Sequence, residues 1–227
     1  LNTVLGARPN FLEEGPAKKR MLFVPSPLLM PQEFSAIRSL RFADLKAAVI
    51  PAVFPAAKGA AGLRSAVMSV CEQAANAVDA GTSILILSDR GANESAAPIP
   101  SLLAVAAVHH HLIRTGRRMR VSLVVEAGDV HEVHQFACLL GYGASAVYPY
   151  LTYQTIKALE GANRLDGQTF DQALAHFKKA VDQGVLKIMS KMGISTVGSY
   201  RGAQIFEALG LARELIDDCF PGTPSRI

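Results

Sequence analysis

The stretch SILILS (83–88) decides the fold: four aliphatic residues stand between two serines, and Asp89, Arg90 and Gly91 follow directly. A run this short and this apolar is typical of a strand that is buried on both faces, as in a parallel sheet. Other segments share this character: MLFV (21–24), AAVI (47–50), RVSLVV (120–125) and SAVY (145–148). Because helical patterns separate them, the sequence predicts an α/β fold with a parallel β/α sheet of about five strands and right-handed crossovers.

Helices are predicted between these strands, over 31–40, 63–78, 99–116 and 129–143. Pro31 stands at the first position of its helix, where a missing N–H costs nothing. Gly81 ends the second helix, as glycine commonly does. Asp129 and Glu132 have the spacing of a capping box, in which each side chain binds a free backbone donor at the helix start.

After Tyr150 the alternation of strands and helices stops. Two helical patterns follow one another without a strand between them, over 151–161 and 170–184. We therefore expect three parts: an irregular lead-in at 1–20, a central α/β domain at 21–160 and a helical extension at 161–227. The chain starts with Leu1, and its tail PGTPSRI lacks a closing element, so we expect a piece of a longer protein.

The composition fits a globular domain. Half of the residues are hydrophobic, 19% are charged and tryptophan is absent, so the core must consist mainly of Ala, Val, Leu and Ile. The formal net charge is +4, but the basic clusters at 18–20 and 117–120 each precede an apolar run. We interpret them as charged loops and expect no nucleic-acid binding, since neither aromatic interleaving nor a basic face accompanies them.

The three cysteines, Cys71, Cys138 and Cys219, are widely spaced and form no Cys-x-x-Cys pair. Cys71 and Cys138 fall inside apolar helical patterns, so we expect reduced core residues and a reducing compartment. The sequence shows neither a signal peptide nor an apolar run of membrane-spanning length. These observations predict a soluble protein without a membrane partner.

Polar residues follow the clearest strand, at the edge of a parallel sheet where ligands usually bind. Asp89, Arg90 and Gly91 are compatible with a phosphate or flavin site in a self-contained β/α enzyme or binding protein. However, one glycine is far short of a phosphate-binding loop. The alternative is that Asp89 and Arg90 form an ion pair or cap the next helix.

The histidines offer weak metal sites. His131 and His134 lie three residues apart on a predicted helix, and Glu126 ends the preceding strand. The usual helical spacing of zinc-binding histidines is four, and a further polar ligand is lacking, so we predict no metal site. The run HHH (109–111) points in three directions on a helix and is interpreted as structural.

The segment VLKIMSKMGIS (185–195) has two interpretations. As a short buried strand, it places Ser190, Lys191 and Met192 at its end, where a lysine can hold an anionic ligand. As a helix, it makes Lys187 and Lys191 a solvated pair one turn apart. The residues alone leave both open.

Long parts of the chain closely resemble one family. The central domain of the glutamate synthase large chain is matched by ILSDRG (86–91), by the run from PIPSLL through YQTI (98–156) and, in its pattern, by FPAAKGAAGL (54–63). The segments KIMSKMGIST (187–196), SYRGAQIFEALGL (199–211) and GTPSRI (222–227) resemble the connection from that domain to the flavin-binding synthase domain. The resemblance runs from PSPLLMP (25–31) onward. Tyr148 departs from it, since asparagine is more frequent before the PYL stretch.

This resemblance implies an ammonia-assimilating, glutamate-forming oxidoreductase coupled to a glutamine amidotransferase. One domain hydrolyses glutamine, ammonia passes through a tunnel, and an FMN domain adds it to 2-oxoglutarate with electrons from a 3Fe–4S cluster. The central domain is related in topology to the flavin barrel, lacks its cofactor, and links the two catalytic domains. The resemblance thus implies a linking domain without a catalytic residue or cofactor of its own, inactive in isolation.

The resemblance also implies partners and a location. The partners are the flanking amidotransferase and FMN domains, with a small subunit or ferredoxin in the full enzyme. The location is the cytoplasm, or the plastid stroma in a plant. Met189, Ser190 and Lys191 match the segment that opens the flavin barrel, so the resemblance places them near FMN and 2-oxoglutarate in the full-length enzyme, and there only.

Overall fold

The computed structural model describes residues 1–9, 12 and 19–226. The strands of the described part are β1 (Thr3–Leu5), β2 (Leu22–Val24), β3 (Ala47–Pro51), β4 (Val53–Pro55), β5 (Ile84–Ser88), β6 (Ala96–Pro98), β7 (Ser122–Glu126), β8 (Ala146–Tyr148), β9 (Ala208–Leu209) and β10 (Ser225–Arg226). The α-helices are α1 (Pro31–Arg38), α2 (Gly59–Asp79), α3 (Ser101–Arg114), α4 (Val133–Gly141), α5 (Tyr150–Gly161), α6 (Phe170–Lys191), α7 (Val197–Tyr200) and α8 (Arg213–Cys219).

A parallel sheet forms the centre of the molecule, with the strand order β3-β5-β7-β8. All residues of β5, β7 and β8 are buried, which explains why these strands read as continuous apolar runs. Helices α2, α3 and α4 connect the four strands in turn. The predicted α/β class is therefore confirmed, and the sheet within the described part is open rather than closed into a barrel.

The sheet has four strands, whereas the sequence predicted about five. The segment 22–24 is a strand, but it pairs antiparallel with β1 and not with the parallel sheet. The side chains explain this pairing. Phe23 is 62% exposed while Val24 is buried, and this alternation suits an antiparallel strand with one solvent-exposed face. β1 falls within the segment predicted as an irregular lead-in, much of which lies outside the described residues.

The predicted capping box of the helix after β7 is wrong in its residues. Helix α4 begins at Val133, and its cap consists of Glu132 with Gln135. Asp129 instead accepts a hydrogen bond from the backbone N–H of Ser101 at 3.0 Å, so it binds a free donor at the start of α3. A side chain from a different loop thus accepts a hydrogen bond from the free N–H at the start of α3. The spacing of residues along the sequence near α3 does not reveal this partner.

Helix α6 runs without interruption through the segment that the sequence left open between helix and strand. Its apolar face, which includes Leu174, Val181, Val185 and Met189, is buried. The helix packs against α4 and α5. The helical interpretation of the segment 185–191 is therefore correct.

The remaining elements, from α7 to β10, fold back over α3 and α4. The hydroxyls of Tyr142 and Thr223 lie 2.8 Å apart, and the guanidinium of Arg114 donates to the carbonyl of Asp218 at 3.3 Å. Cys71 and Cys219 are buried, Cys138 is half-buried, and all three are free thiols. The reduced state of Cys71 and Cys138 stays a prediction.

None of the helices within the described ranges combines the length and the apolar character that a membrane span requires.

Candidate functional site

The carboxyl ends of the four parallel strands are aligned. Pro51 pairs in register with Ser88, Ser88 with Glu126, and Glu126 with Tyr148. The last residue of each strand therefore lies at one edge of the sheet, next to the loops that begin at Asp89. This edge is where an α/β fold usually binds its ligand.

Glu126 is the centre of this edge, and its side chain is only 1% exposed. Ser88 Oγ donates to one carboxylate oxygen at 2.6 Å, and Arg90 Nε donates to the other. The Arg90 guanidinium also stacks on the ring of Tyr150, 4.2 Å from its centroid. A buried carboxylate with both oxygens bound and a cation beside it is compensated within the chain.

Asp89 binds the neighbouring loop. Both of its carboxylate oxygens accept from the backbone N–H of Gly128, at 3.1 and 2.9 Å. Burial raises the pKa of Asp89, which the bond from Gly128 partly offsets. Burial likewise raises the pKa of Tyr150 to about 12, with the Asp89 carboxylate adding to the shift. Both pKa shifts indicate that the side chains of Asp89 and Tyr150 lie close together at the strand edge and are partly shielded from water.

The fit at this loop is close. A Cβ at Gly128 would lie 3.0 Å from Tyr150 Oη and 3.6 Å from Asp89 Oδ2, so the absence of a side chain lets the loop approach. Tyr148 stacks on Phe34 with ring centroids 4.2 Å apart, and Tyr153 packs against its edge. The strand edge is therefore filled by the chain's own aromatic and polar groups.

Of the two interpretations of Asp89 and Arg90, the structure favours the structural one. Arg90 forms an ion pair with Glu126, and Asp89 binds the backbone after β7. Gly91 follows in a turn, and a Cβ added to it would lie 3.7 Å from Val53 Cγ2. The three residues bind partners within the chain, and the arrangement they form lacks the nucleophile–base geometry of a catalytic centre.

His131 and His134, the histidines of the metal hypothesis, contact residues other than Glu126. His131 Nε2 is 3.9 Å from the Glu132 carboxylate, and His134 Nε2 is 3.5 Å from Cys138 Sγ. Within the described residues, groups of three or more His, Cys, Asp or Glu that could hold a metal ion are absent. The expectation that the residues of the HHH run point in three directions holds only in part: His109 contacts Arg118 and His111 lies beside Arg114, but the rings of His109 and His110 are in T-shaped contact with centroids 4.9 Å apart.

Met189, Ser190 and Lys191 form the end of helix α6. Met189 is buried, whereas Ser190 and Lys191 are exposed. Gly193 follows with φ +69°, and its N–H donates to the Ser190 carbonyl at 3.1 Å while that of Ile194 donates to Met189 at 2.9 Å. This is the Schellman arrangement, in which the glycine closes the helix.

Sequence reasoning missed two groups of residues. The first comprises Gly128 and Tyr150, the partners of Asp89; their only signal in the sequence was that each lies two residues beyond the end of a strand. The second is a cluster of arginines at the opposite edge of the sheet, which contains Arg118. The basic run 117–120 was interpreted as a charged loop, although Arg118 is half-buried and binds the carbonyls of Val121 and Gly143.

Comparison with known proteins identifies the family. The model of the glutamate synthase central domain matches residues 1–212. The chain is 44% identical to an NADH glutamate synthase of Schizosaccharomyces pombe over 230 residues, which is all of this chain and 11% of that protein. It is 44% identical to the NADPH glutamate synthase large chain of Bacillus subtilis, covering 99% of this chain and 14% of that protein.

A ferredoxin-dependent, chloroplastic glutamate synthase of Spinacia oleracea is 43% identical over the whole chain, which covers 15% of that protein. The chain therefore spans about a seventh or less of these relatives. Among solved structures, the flavin-binding domain of baker's yeast flavocytochrome b2 is 13% identical with a TM-score of 0.47, covering 88% of this chain and 45% of that one, a likeness too low to support an argument. On the family match and the identities over its whole length, the chain belongs to the glutamate synthase central domain family.

Proposed function

We propose that this chain is the linking domain of a full-length glutamate synthase. In that enzyme it holds an amidotransferase domain and an FMN domain in register and helps to confine the ammonia that passes between them. The overall reaction converts glutamine, 2-oxoglutarate and a reductant into two molecules of glutamate. Confinement matters because free ammonia is lost to protonation and diffusion.

One observation carries this proposal. In a member of the central domain family, the strand edge that would bind a ligand is occupied by Glu126, Arg90, Asp89 and Tyr150, which bind one another or the adjacent backbone. A phosphate or flavin that bound Arg90 there would compete with the buried Glu126 carboxylate for its cation, and an unpaired buried carboxylate is unfavourable. We infer that FMN and the 3Fe–4S cluster belong to the flanking parts of the full-length enzyme.

The domain boundaries are part of the proposal. We propose a lead-in at 1–20, the central α/β domain at 21–160, and an extension at 161–227 that leads into the synthase domain. The family match ends at residue 212, which supports a change of domain near the end of this range. In the full-length enzyme we place Ser190 and Lys191 near FMN and 2-oxoglutarate; their exposure at the end of α6 leaves them accessible to a neighbouring domain. Met189, which is buried beneath them, would support their position.

The partners and the compartment follow from the same assignment. We propose the flanking catalytic domains as partners in the same polypeptide, and a small subunit or ferredoxin as the source of electrons. We propose the cytoplasm as the location, or the plastid stroma in a plant, which the free thiols and the chloroplastic relative support.

The linking role is tested by separating the parts. The two flanking parts of the full-length polypeptide are produced as separate chains and mixed with or without this chain. We expect glutamine-dependent glutamate formation only when this chain is present, whereas glutamine hydrolysis and ammonia-dependent glutamate formation persist without it. Equal glutamine-dependent activity in its absence would overturn the linking role.

The alternative, a flavin or phosphate ligand at residues 89–91, is tested on this chain alone. FMN is titrated against the unaltered chain and against Arg90→Gln, with flavin fluorescence as the readout. We expect no saturable binding in the micromolar range. Saturable binding that Arg90→Gln abolishes would favour a self-contained flavoprotein.

A further inference from the structure

A cavity of about 380 Å³ opens at the edge of the sheet opposite Asp89 and Glu126. Its position follows from the chain: Arg118 lies four residues before the start of β7, and it binds the carbonyl of Gly143, which lies three residues before the start of β8. The lining residues are Arg8, His109, Ile113, Gly116, Arg118, Met119, Gly198 and Arg201. Within the described ranges, this lining holds three arginines and neither Asp nor Glu.

Arg118 is fixed in place at this cavity. Its guanidinium donates to the carbonyls of Val121 and Gly143 at 2.7 and 2.8 Å, and its Nε donates to His109 Nδ1 at 2.8 Å. These acceptors are neutral, so they orient the cation without cancelling its charge. Burial, followed by the charges of Arg201 and Arg8, lowers the pKa of Arg118 to about 9.

Arg201 is incompletely bonded. One of its terminal nitrogens donates to Ser145 Oγ at 3.2 Å, while its Nε is buried without a hydrogen-bond partner among the described residues. A buried N–H without a partner costs about 1–3 kcal/mol. Burial, followed by the charge of Arg8, lowers the pKa of Arg201 to about 10. Arg8 itself is exposed at the mouth of the cavity.

The cluster therefore has the composition of an anion-binding site. Three guanidinium groups that repel one another converge on one cavity, and the described carboxylates form no ion pair with them. Like charges in a partly dry site are unfavourable unless a counter-charge enters. Guanidinium forks match the geometry of carboxylate and phosphate oxygens, and the cavity is large enough for a small molecule.

We propose that Arg8, Arg118 and Arg201 form a binding site for a small oxyanion, a phosphate or a carboxylate, at the amino-terminal edge of the central sheet. The site is independent of the linking function, since it uses the opposite edge of the sheet and none of the residues at the strand ends.

The probe is inorganic phosphate, titrated calorimetrically into this chain at constant ionic strength, with chloride as the reference anion. We expect saturable binding in the millimolar range or tighter. Arg8→Gln should weaken it about tenfold or more, the factor that corresponds to losing one charge-assisted hydrogen bond. Arg201→Gln should do the same, and Arg8→Gln keeps the test decisive if the Arg201 variant does not fold, because Arg8 is exposed.

The matched control is Arg213→Gln, which removes an exposed arginine paired with Asp217 on α8. Phosphate affinity should not change in this variant. Absence of saturable phosphate binding to the unaltered chain would overturn the proposal, as would equal weakening by the Arg213 variant. Glu13 and Glu14 follow Arg8 closely in the sequence and lie outside the described residues; the Glu13→Gln/Glu14→Gln variant should also bind phosphate unchanged. A clear gain of affinity would mean that the chain's own carboxylates neutralise the cluster, which would also overturn the proposal.

The source of the oxyanion is distinguished with the full-length enzyme. If the enzyme still binds phosphate and Arg8→Gln weakens that binding, the ligand is a free ion. If the enzyme no longer binds phosphate, while Arg8→Gln lowers its melting temperature, the ligand is a carboxylate side chain from elsewhere in the polypeptide. Both outcomes support the site, and a full-length enzyme in which Arg8→Gln alters neither property would contradict it. FMN binding that depends on Arg90 would overturn the linking proposal and leave this one intact.

Discussion

At the scale of single residues, His109 shows how the contacts of a side chain in the folded protein determine its protonation state. Its Nδ1 accepts from Arg118 Nε, so the imidazole is neutral and carries its proton on Nε2. Burial, followed by the neighbouring Arg118 charge, lowers the pKa of His109 to about 3. A protonated His109 would face a guanidinium that now donates to it.

His109 should therefore contribute to acid destabilisation. The unfolded imidazole has a pKa near 6.5 and the folded one about 3, so the unfolded chain binds the extra proton between these values. The free energy of unfolding then falls as pH falls through this window. We expect His109→Asn, whose Oδ1 still accepts from Arg118, to reduce the slope of stability against pH by about 1 kcal/mol per pH unit between about pH 4 and 6.

Urea unfolding at successive pH values measures this slope. The control is His131→Asn, which alters an exposed histidine. If the His109 variant keeps the full slope of the unaltered chain, the histidine is not neutral in the folded state and the assignment fails. Phosphate is omitted from the buffers, so that binding to the arginine cluster does not contribute.

The sequence predicted the position of the strand-end residues but not their partners. A short apolar run followed by Asp89 and Arg90 is enough to place both at the sheet edge. Their partners, Glu126 and Gly128, lie more than 30 residues away, and only the register of β5 with β7 brings them together. The arginine cluster is harder still, because Arg8, Arg118 and Arg201 come from three distant segments.

At the scale of elements, strands buried on both faces were predicted well. Such a strand consists of a continuous run of apolar residues, and this run is visible in the sequence. β5 and β7 are found almost where the apolar runs lie. β2 was assigned to the wrong sheet because three residues do not show whether one face or both are buried. The end of α6 stayed open because Lys and Met suit an exposed helix as well as a strand end.

The packing of α4 against α6 depends on Gly184 in the middle of α6. A Cβ at this position would lie 2.6 and 2.7 Å from the two γ-methyl carbons of Val133, the first residue of α4. Glycine within a helix ordinarily costs about 1 kcal/mol relative to alanine. Here the close approach of the two helices outweighs that cost, since Val133 is β-branched and stiff.

Gly184→Ala should therefore destabilise the chain by about 1–3 kcal/mol, the usual cost of overpacking, instead of stabilising it. The double variant Gly184→Ala/Val133→Ala should recover part of this loss, since the clashing methyl groups are gone. Gly161→Ala, at the end of α5 with free space around its Cβ position, is the matched control and should be neutral or slightly stabilising. Chemical denaturation measures all of them, and a stabilised Gly184 variant would contradict the packing argument.

At the scale of the whole molecule, the described chain is one hydrophobic core with a thinner layer on it. Most of the continuous set of buried apolar residues lies in the sheet and in α1 to α6, and only a few of its members, such as Tyr200, Ile216 and Phe220, lie after α6. The part after α6 contributes two strands of two residues each, one four-residue helix and one seven-residue helix, which contact α3 and α4. Elements that share few buried contacts open more readily than the core they cover.

Amide hydrogen exchange should therefore divide the chain after residue 191, within the extension proposed at 161–227, because the first part of that extension, α6, packs on α4 and α5. We expect β5, β7 and the buried turns of α6 to exchange slowest and together, because each opens only when the core unfolds. The amides of α8 should exchange at least about tenfold faster, by local opening. Mass-spectrometric exchange at peptide resolution measures both. Exchange of α6 as fast as that of α8 would show that the whole extension from residue 161 is a separate unit, whereas protection of α8 equal to that of β5 would make the terminal layer integral to the core.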